Sequence, residues 1–258
     1  MRVDYGLDLS GVPRDLALSG LVAEGDELDA VVSAEPDWSK PTPAVGWTIA
    51  HQIAHLAAAD ANVLIAIRTP EAFGAVLEEV EAGGSGHADR EAAAGAAQPR
   101  SELLERWRAG RTEVAAALRD VPLEHTFPWF GSQLTAALMV PLRLMETWAH
   151  GQDVLDTVGV RRRPTDRLRH IATLGFVGRG LSFHVAGLPL PAEPFRVELA
   201  GPGGEVWTWG PEDARQRVRG SALDFCLRVT QRRPRAETDL TATGEDAQKW
   251  LDIARIFL

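Results

Sequence analysis

Cysteine is almost missing from this 258-residue chain: Cys226 stands alone. One thiol excludes an intramolecular disulfide and any zinc site built from several cysteines, so a bound metal would rest on histidine and carboxylate ligands. Cys226 lies in the apolar run ALDFCL and reads as a small core residue. Lysine is nearly absent too, at Lys40 and Lys249, and almost all the basic charge is arginine. No apolar run approaches the ~18 residues a membrane span needs, and the opening MRVDYGLDLS has no apolar stretch of the signal-peptide kind. The chain is therefore expected to be cytoplasmic, without a membrane partner. A formal net charge of −9 argues against a general nucleic-acid binder, although Arg161–Arg163 and the arginines at 232, 233 and 235 form local basic clusters. There is no internal repeat, no GxGxxG fingerprint, no phosphate-binding P-loop and no GxSxG elbow.

Hydrophobic residues make up 45% of the chain and charged residues 24%, values that suit a globular protein with a sizeable core. The length suits two domains. Residues 14 to 34 carry Leu18, Leu21, Val22, Gly25, Leu28 and Val32 at helical spacing. After the turn-rich DWSKPTPAVGW, Thr48 is placed to cap a second helix running to about 68. Residues 71 to 82 suit a short extra helix. Gly83 to Ala97 contains few large apolar residues and predicts a mobile linker. A third helix spans about 100 to 120, with Leu104, Trp107, Val114, Leu118 and Val121 in register and Arg111 interrupting the stripe; an arginine there calls for an internal acid or an anionic ligand. The aromatic, proline-rich stretch 122 to 132 predicts a loop in which His125 could rim a pocket. The fourth helix begins near Ser132 or restarts at Pro141.

Four such helices predict a four-helix bundle over residues 1–160. From 161 the character changes. A helix near 166–185 is followed by two short strands, FRVEL and EVWTWG, joined by the turn GPGG, and by helices near 219–231 and 244–256. Residues 161–258 therefore predict a small α+β domain, and the whole chain is mainly α.

Two stretches carry metal-type spacing. In RLMETWAHGQDVLD, Glu146 and His150 stand four residues apart, on one helical face, with Asp153 extending the stripe. The flanking residues are apolar nearly all round, so these groups need a cation, a hydrogen-bond partner or each other. Spacing alone leaves open either a metal pair or a core Glu–His hydrogen bond. In HQIAHLAAAD, His51 and His55 repeat the spacing. On a helical wheel, Ile49, Ile53, Leu56, Val63 and Ile67 form the buried stripe. His55 lies about 120° from its centre, His51 farther, and Asp60 within it.

Taken together, PTPAVGWTIAHQIAHLAAAD, RLMETWAHGQDVLDTVG, WTWGPEDA and GSALDFCLRVTQRR resemble the mycothiol-dependent maleylpyruvate isomerase family, within the DinB-like metal-binding superfamily. The likeness is greatest to its branch of uncharacterised metal-binding proteins, and it spans both halves of the chain. It implies an N-terminal DinB-like four-helix bundle and a small C-terminal α+β domain. It implies a divalent-metal site on His55, Glu146 and His150, with no counterpart for His51. The ion would be Zn2+, with nickel, iron or manganese also suited to such ligands. It further implies a small-molecule substrate and a thiol cofactor of the mycothiol type, with Arg232 near the pocket; Asp153 is a candidate to orient a ligand or the substrate. The function expected is that of a metal-dependent thiol transferase or isomerase, and the alternative is a non-catalytic metal- or small-ligand-binding module.

Overall fold

The computed structural model describes residues 14–130 and 132–256; the opening MRVDYGLDLS lies outside them. The described residues fall into two compact units that divide between Arg162 and Arg163. Arg162 belongs with the first because its guanidinium is spent there. It pairs with Glu24, donates through Nε to Gln152 Oε1 at 2.7 Å and through Nη2 to the Trp148 carbonyl at 2.9 Å, and lies over the Trp148 ring.

The first unit is built on α1 (Arg14–Ala34), α2 (Ile49–Arg68), α5 (Arg100–Asp120) and α6 (Ala136–Val158), a four-helix bundle in which α1 and α2 each pack on both α5 and α6. Its core joins Leu28 and Val32 of α1, Ile49, Ile53 and Leu56 of α2, Leu103 and Trp107 of α5, and Val154 of α6. Such stripes stabilise by roughly 1.5–3 kcal/mol for each fully buried large apolar side chain. Thr48 is the N-cap of α2, and Gly159, in the left-handed conformation at φ 71°, ends α6. Arg111 finds internal acids, reaching Asp26 at 2.7 Å and Asp29 at 3.1 Å on α1.

Two expectations are overturned in this unit. Residues 83–97 are not a linker: α3 (Phe73–Gly83) is followed by a short 3-10 turn and by α4 (His87–Ala96), which lies on α2. Ala92 and Gly95 of α4 are buried, and a Cβ added at Gly95 would stand 2.7 Å from Ala54 Cβ. Small residues that offer little to bury here permit a helix to approach closely. The loop at 122–132 holds a hairpin of β1 (Thr126–Trp129) and β2 (Ser132–Thr135), with Trp129 and Phe130 packed against Phe73. α6 therefore starts after β2, and Pro141 lies inside it.

The second unit holds α7 (Leu168–Val177), α8 (Arg179–Val185), β3 (Phe195–Ala200), β4 (Val206–Trp209), β5 (Gln216–Ser221), α9 (Ala222–Val229), β6 (Thr241–Thr243) and α10 (Glu245–Ile253). The expected hairpin is present as β3 and β4. It is completed by β5, parallel to β3, and by β6, giving a sheet of order β4-β3-β5-β6. Phe195, Val197, Leu199 and Val218 are buried, while Arg196, Glu198 and Arg219 alternate with them. Cys226 is wholly buried in α9, as a core residue. The chain is mainly α with a small α+β C-terminal part, and among the described residues no helix is long and apolar enough to cross a membrane.

Candidate metal centre

His55 comes from α2, and Glu146 and His150 from α6. Their ligand atoms all lie within 4.8 Å of one another. Glu146 Oε2 is 3.4 Å from His55 Nε2 and 3.5 Å from His150 Nε2. These separations exceed the 2.7–3.2 Å of a good N–H···O hydrogen bond. They match the roughly 3.3–3.5 Å between neighbouring donors on a tetrahedral ion with ligand bonds of ~2.0–2.1 Å. The donor set of two imidazoles and one carboxylate thus fits a divalent ion and leaves further positions open.

His150 is oriented for that role. Its Nδ1 lies 2.6 Å from Gln52 Oε1, while Gln52 Nε2 donates to Thr42 Oγ1 at 2.9 Å and the Thr42 hydroxyl donates to the Trp47 carbonyl at 3.0 Å. With the amide nitrogen of Gln52 committed to Thr42, its oxygen faces His150, so Nδ1 is the donor. The neutral ring then presents a lone pair at Nε2, toward Glu146. Such a partner on the far side of an imidazole fixes tautomer and ring plane together. Burial acts to raise the pKa of Glu146, but the influence of the flanking His150 and His55 imidazoles outweighs it and holds the carboxyl well below the usual carboxylate range. The three side chains remain partly open, 21% exposed for His55, 22% for Glu146 and 13% for His150, as access by a small molecule requires.

His51 is used elsewhere: its Nδ1 lies 2.8 Å from the Thr48 hydroxyl and 3.3 Å from the Thr48 amide, at the N-terminus of α2. The repeated spacing in HQIAH is therefore a capping residue followed by a site residue. Asp60 is buried as the wheel predicts, paired with Arg143 of α6 at 2.9 Å. This ion pair ties the same two helices that carry the site. Asp153 is buried on α6 one turn past His150. Arg232 follows α9 in the second unit, where its Nη1 donates to the Thr230 carbonyl at 2.7 Å. Gly151, next to His150, has a packing reason, but the close approach it allows is to Arg162 and α1 and not at the site. A Cβ there would meet Arg162 Nη2 at 3.2 Å and Leu28 of α1, because consecutive helical residues point about 100° apart. His125 does line a cavity of about 450 Å³, with Ile67, Arg68 and Asp120, but at the far end of α2, roughly 18 Å along the helix from His55.

Sequence reasoning passed over Gln52, Thr42 and Trp47. Gln52 stands three residues before His55, a signal available in HQIAH, but its link to His150 crosses helices and leaves no local pattern.

A family model described as the mycothiol maleylpyruvate isomerase N-terminal domain matches residues 21–155, and one described as wyosine base formation matches residues 191–243. An uncharacterised protein of Mycobacterium tuberculosis, found in strains CDC 1551 and H37Rv, is 49% identical over 242 residues, covering 93% of this chain and 94% of its own. Crystal structures of a mycothiol-dependent maleylpyruvate isomerase and of an alanine variant of it resemble this chain in fold. Their TM-scores are 0.60 and 0.61 at 16% identity, over 90% of this chain and 94% of theirs.

Proposed function

We propose that this chain, which belongs to the mycothiol maleylpyruvate isomerase family through its N-terminal domain, holds a divalent metal on His55, Glu146 and His150 and acts there on a small thiol. The observation that carries the reading is the spacing of the three donors, 3.4 and 3.5 Å about Glu146 Oε2, together with the Gln52 contact that turns the His150 lone pair toward them. Zn2+ is the ion we assign first, since three protein ligands with an open position is its catalytic pattern, and nickel, iron or manganese would suit the same donors. When bound, such an ion supplies Lewis acidity and lowers the pKa of a thiol that approaches it, which favours the nucleophilic thiolate. The chain's own part is positional. Glu146, kept ionised, offsets cationic charge; Gln52 holds His150 in one tautomer; and the apolar flanks of α6 limit water.

The reaction we assign is a metal-dependent thiol-cofactor isomerisation or transfer on a small unsaturated or electrophilic acid, with a mycothiol-type thiol as cofactor. Arg232 is our candidate for binding the acid's carboxylate, through the forked geometry of its guanidinium, and buried Asp153 is our candidate for orienting groups at the site. The test is to incubate protein with mycothiol and a panel of unsaturated and electrophilic acids, before and after treatment with a chelator. Turnover that disappears with the metal and returns with Zn2+ is expected. Thiol binding without turnover across the panel would make the site a ligand-binding module instead of an enzyme.

A further inference from the structure

Trp47, in the loop between α1 and α2, touches the candidate metal centre by two independent routes. Its ring lies 5.9 Å from the His150 ring, stacked at 19°, and 5.4 Å from the His55 ring. Its carbonyl accepts the Thr42 hydroxyl, the last link of the hydrogen-bonded series Thr42–Gln52–His150. The indole is itself held from outside: Nε1 donates to Asp89 Oδ1 of α4 at 2.8 Å, a link across 42 residues of sequence. α4 is in turn seated on α2 through the close approach of Gly95 to Ala54. A partly exposed tryptophan in a loop has many conformations to lose, and one hydrogen bond to a carboxylate on a seated helix selects among them.

We propose that Trp47 is a positioning residue for His150 and His55, and that α4 sets it through Asp89. The site then depends on a helix that contributes no ligand. Flattening Trp47 against His150 restricts that ring to the plane in which Nδ1 meets Gln52, and ring stacking and hydrogen bond reinforce one orientation. Partners of this kind change metal affinity by about 10- to 100-fold.

The inference deepens the metal reading, so its test includes an arm that needs no metal. In metal-free protein, nitrogen chemical shifts of the imidazoles report the tautomer directly. The parent should show His150 as a single Nδ1–H form, and Trp47→Ala should show a mixture. In the second arm, competition with a chelator measures Zn2+ affinity. Trp47→Ala should weaken it by about 10- to 100-fold while helical content stays that of the parent. Trp47→Phe and Asp89→Ala remove the same hydrogen bond from opposite ends. Each should weaken binding less than Trp47→Ala, the double variant should be no weaker than the worse single, and Asp89→Asn, which keeps an acceptor oxygen, should restore most of the loss. If the parent proves not to bind Zn2+ while the tautomer still responds, the metal reading fails and the positioning role stands. If Trp47→Ala changes neither the tautomer nor the affinity, or if Trp47→Phe and Asp89→Ala add, the proposal is overturned.

Discussion

Replacing Asp60 by alanine should destabilise the bundle more than replacing Arg143, its partner, by methionine, although both variants break one ion pair. The pair bridges α2 and α6 at 2.9 Å, with Asp60 5% and Arg143 2% exposed. Removing one member of a buried pair costs about 3–5 kcal/mol when the survivor stays charged. Arg143 cannot shed its proton, so Asp60→Ala should carry that full cost, a fall of roughly 6–20 °C in the midpoint at 2–4 °C per kcal/mol. Asp60 has an escape. Desolvation already raises its pKa, against the opposing pull of Arg143, so in Arg143→Met the carboxyl can protonate and leave a penalty of only about 1–3 kcal/mol. The sign of the pH dependence follows. A carboxyl whose folded pKa exceeds 3.8 favours the folded state below 3.8, and that contribution is lost as pH rises through the folded value. The deficit of Arg143→Met relative to the parent should therefore shrink on acidification, while that of Asp60→Ala should not. The double variant Asp60→Leu with Arg143→Met should be near neutral or more stable, by up to ~4 kcal/mol. Urea titrations at several pH values measure all four proteins. A deficit for Arg143→Met that equals that of Asp60→Ala and ignores pH would refute the reasoning, as would a double variant less stable than either single.

Gly95→Ala should cost about 1–3 kcal/mol and expose residues 83–97 to protease, because its Cβ would stand 2.7 Å from that of Ala54; Gly110→Ala, whose Cβ would meet Asp60 at an ordinary 3.5 Å, should instead gain roughly 0.5–1 kcal/mol by urea titration. Arg162→Ala should cost about 1–3 kcal/mol in the same assay, since it removes a buried guanidinium that joins Glu24, Gln152 and the Trp148 carbonyl. Asp29→Asn should cost at most ~1 kcal/mol; the Arg108 hydrogen bond lowers the Asp29 pKa, so the parent's advantage should hold above 3.8 and disappear as pH falls through the folded value. Arg232→Ala should weaken binding of an acidic substrate, measured calorimetrically, with metal content unchanged.

The bundle helices were legible because their apolar residues recur every three to four positions, and the hairpin of β3 and β4 because a glycine-rich turn separates two alternating runs. β1 carries Pro128 and β5 has one large inward aliphatic, Val218, so neither shows the usual strand pattern. α4 was hidden by its own virtue: alanine and glycine read as flexible by composition, yet they are the residues that let a helix lie this close to α2. Within the site, Glu146 and His150 were legible by spacing, whereas the choice of His55 over His51 needed the family resemblance, because both fit one helical face. What separates them physically is that the imidazole of His51 meets Thr48 at the N-cap. Trp47 and Asp89 left no trace in the sequence at all, since a contact across 42 residues has no period.

Metal content measured on protein purified without a histidine tag tests the central claim most directly. The account predicts one divalent ion per chain in the parent and in His51→Ala, most of it lost in each of His55→Ala, Glu146→Ala and His150→Ala. A parent that retains no ion after loading with Zn2+, or a His51→Ala variant that loses the ion while His55→Ala keeps it, would contradict the account.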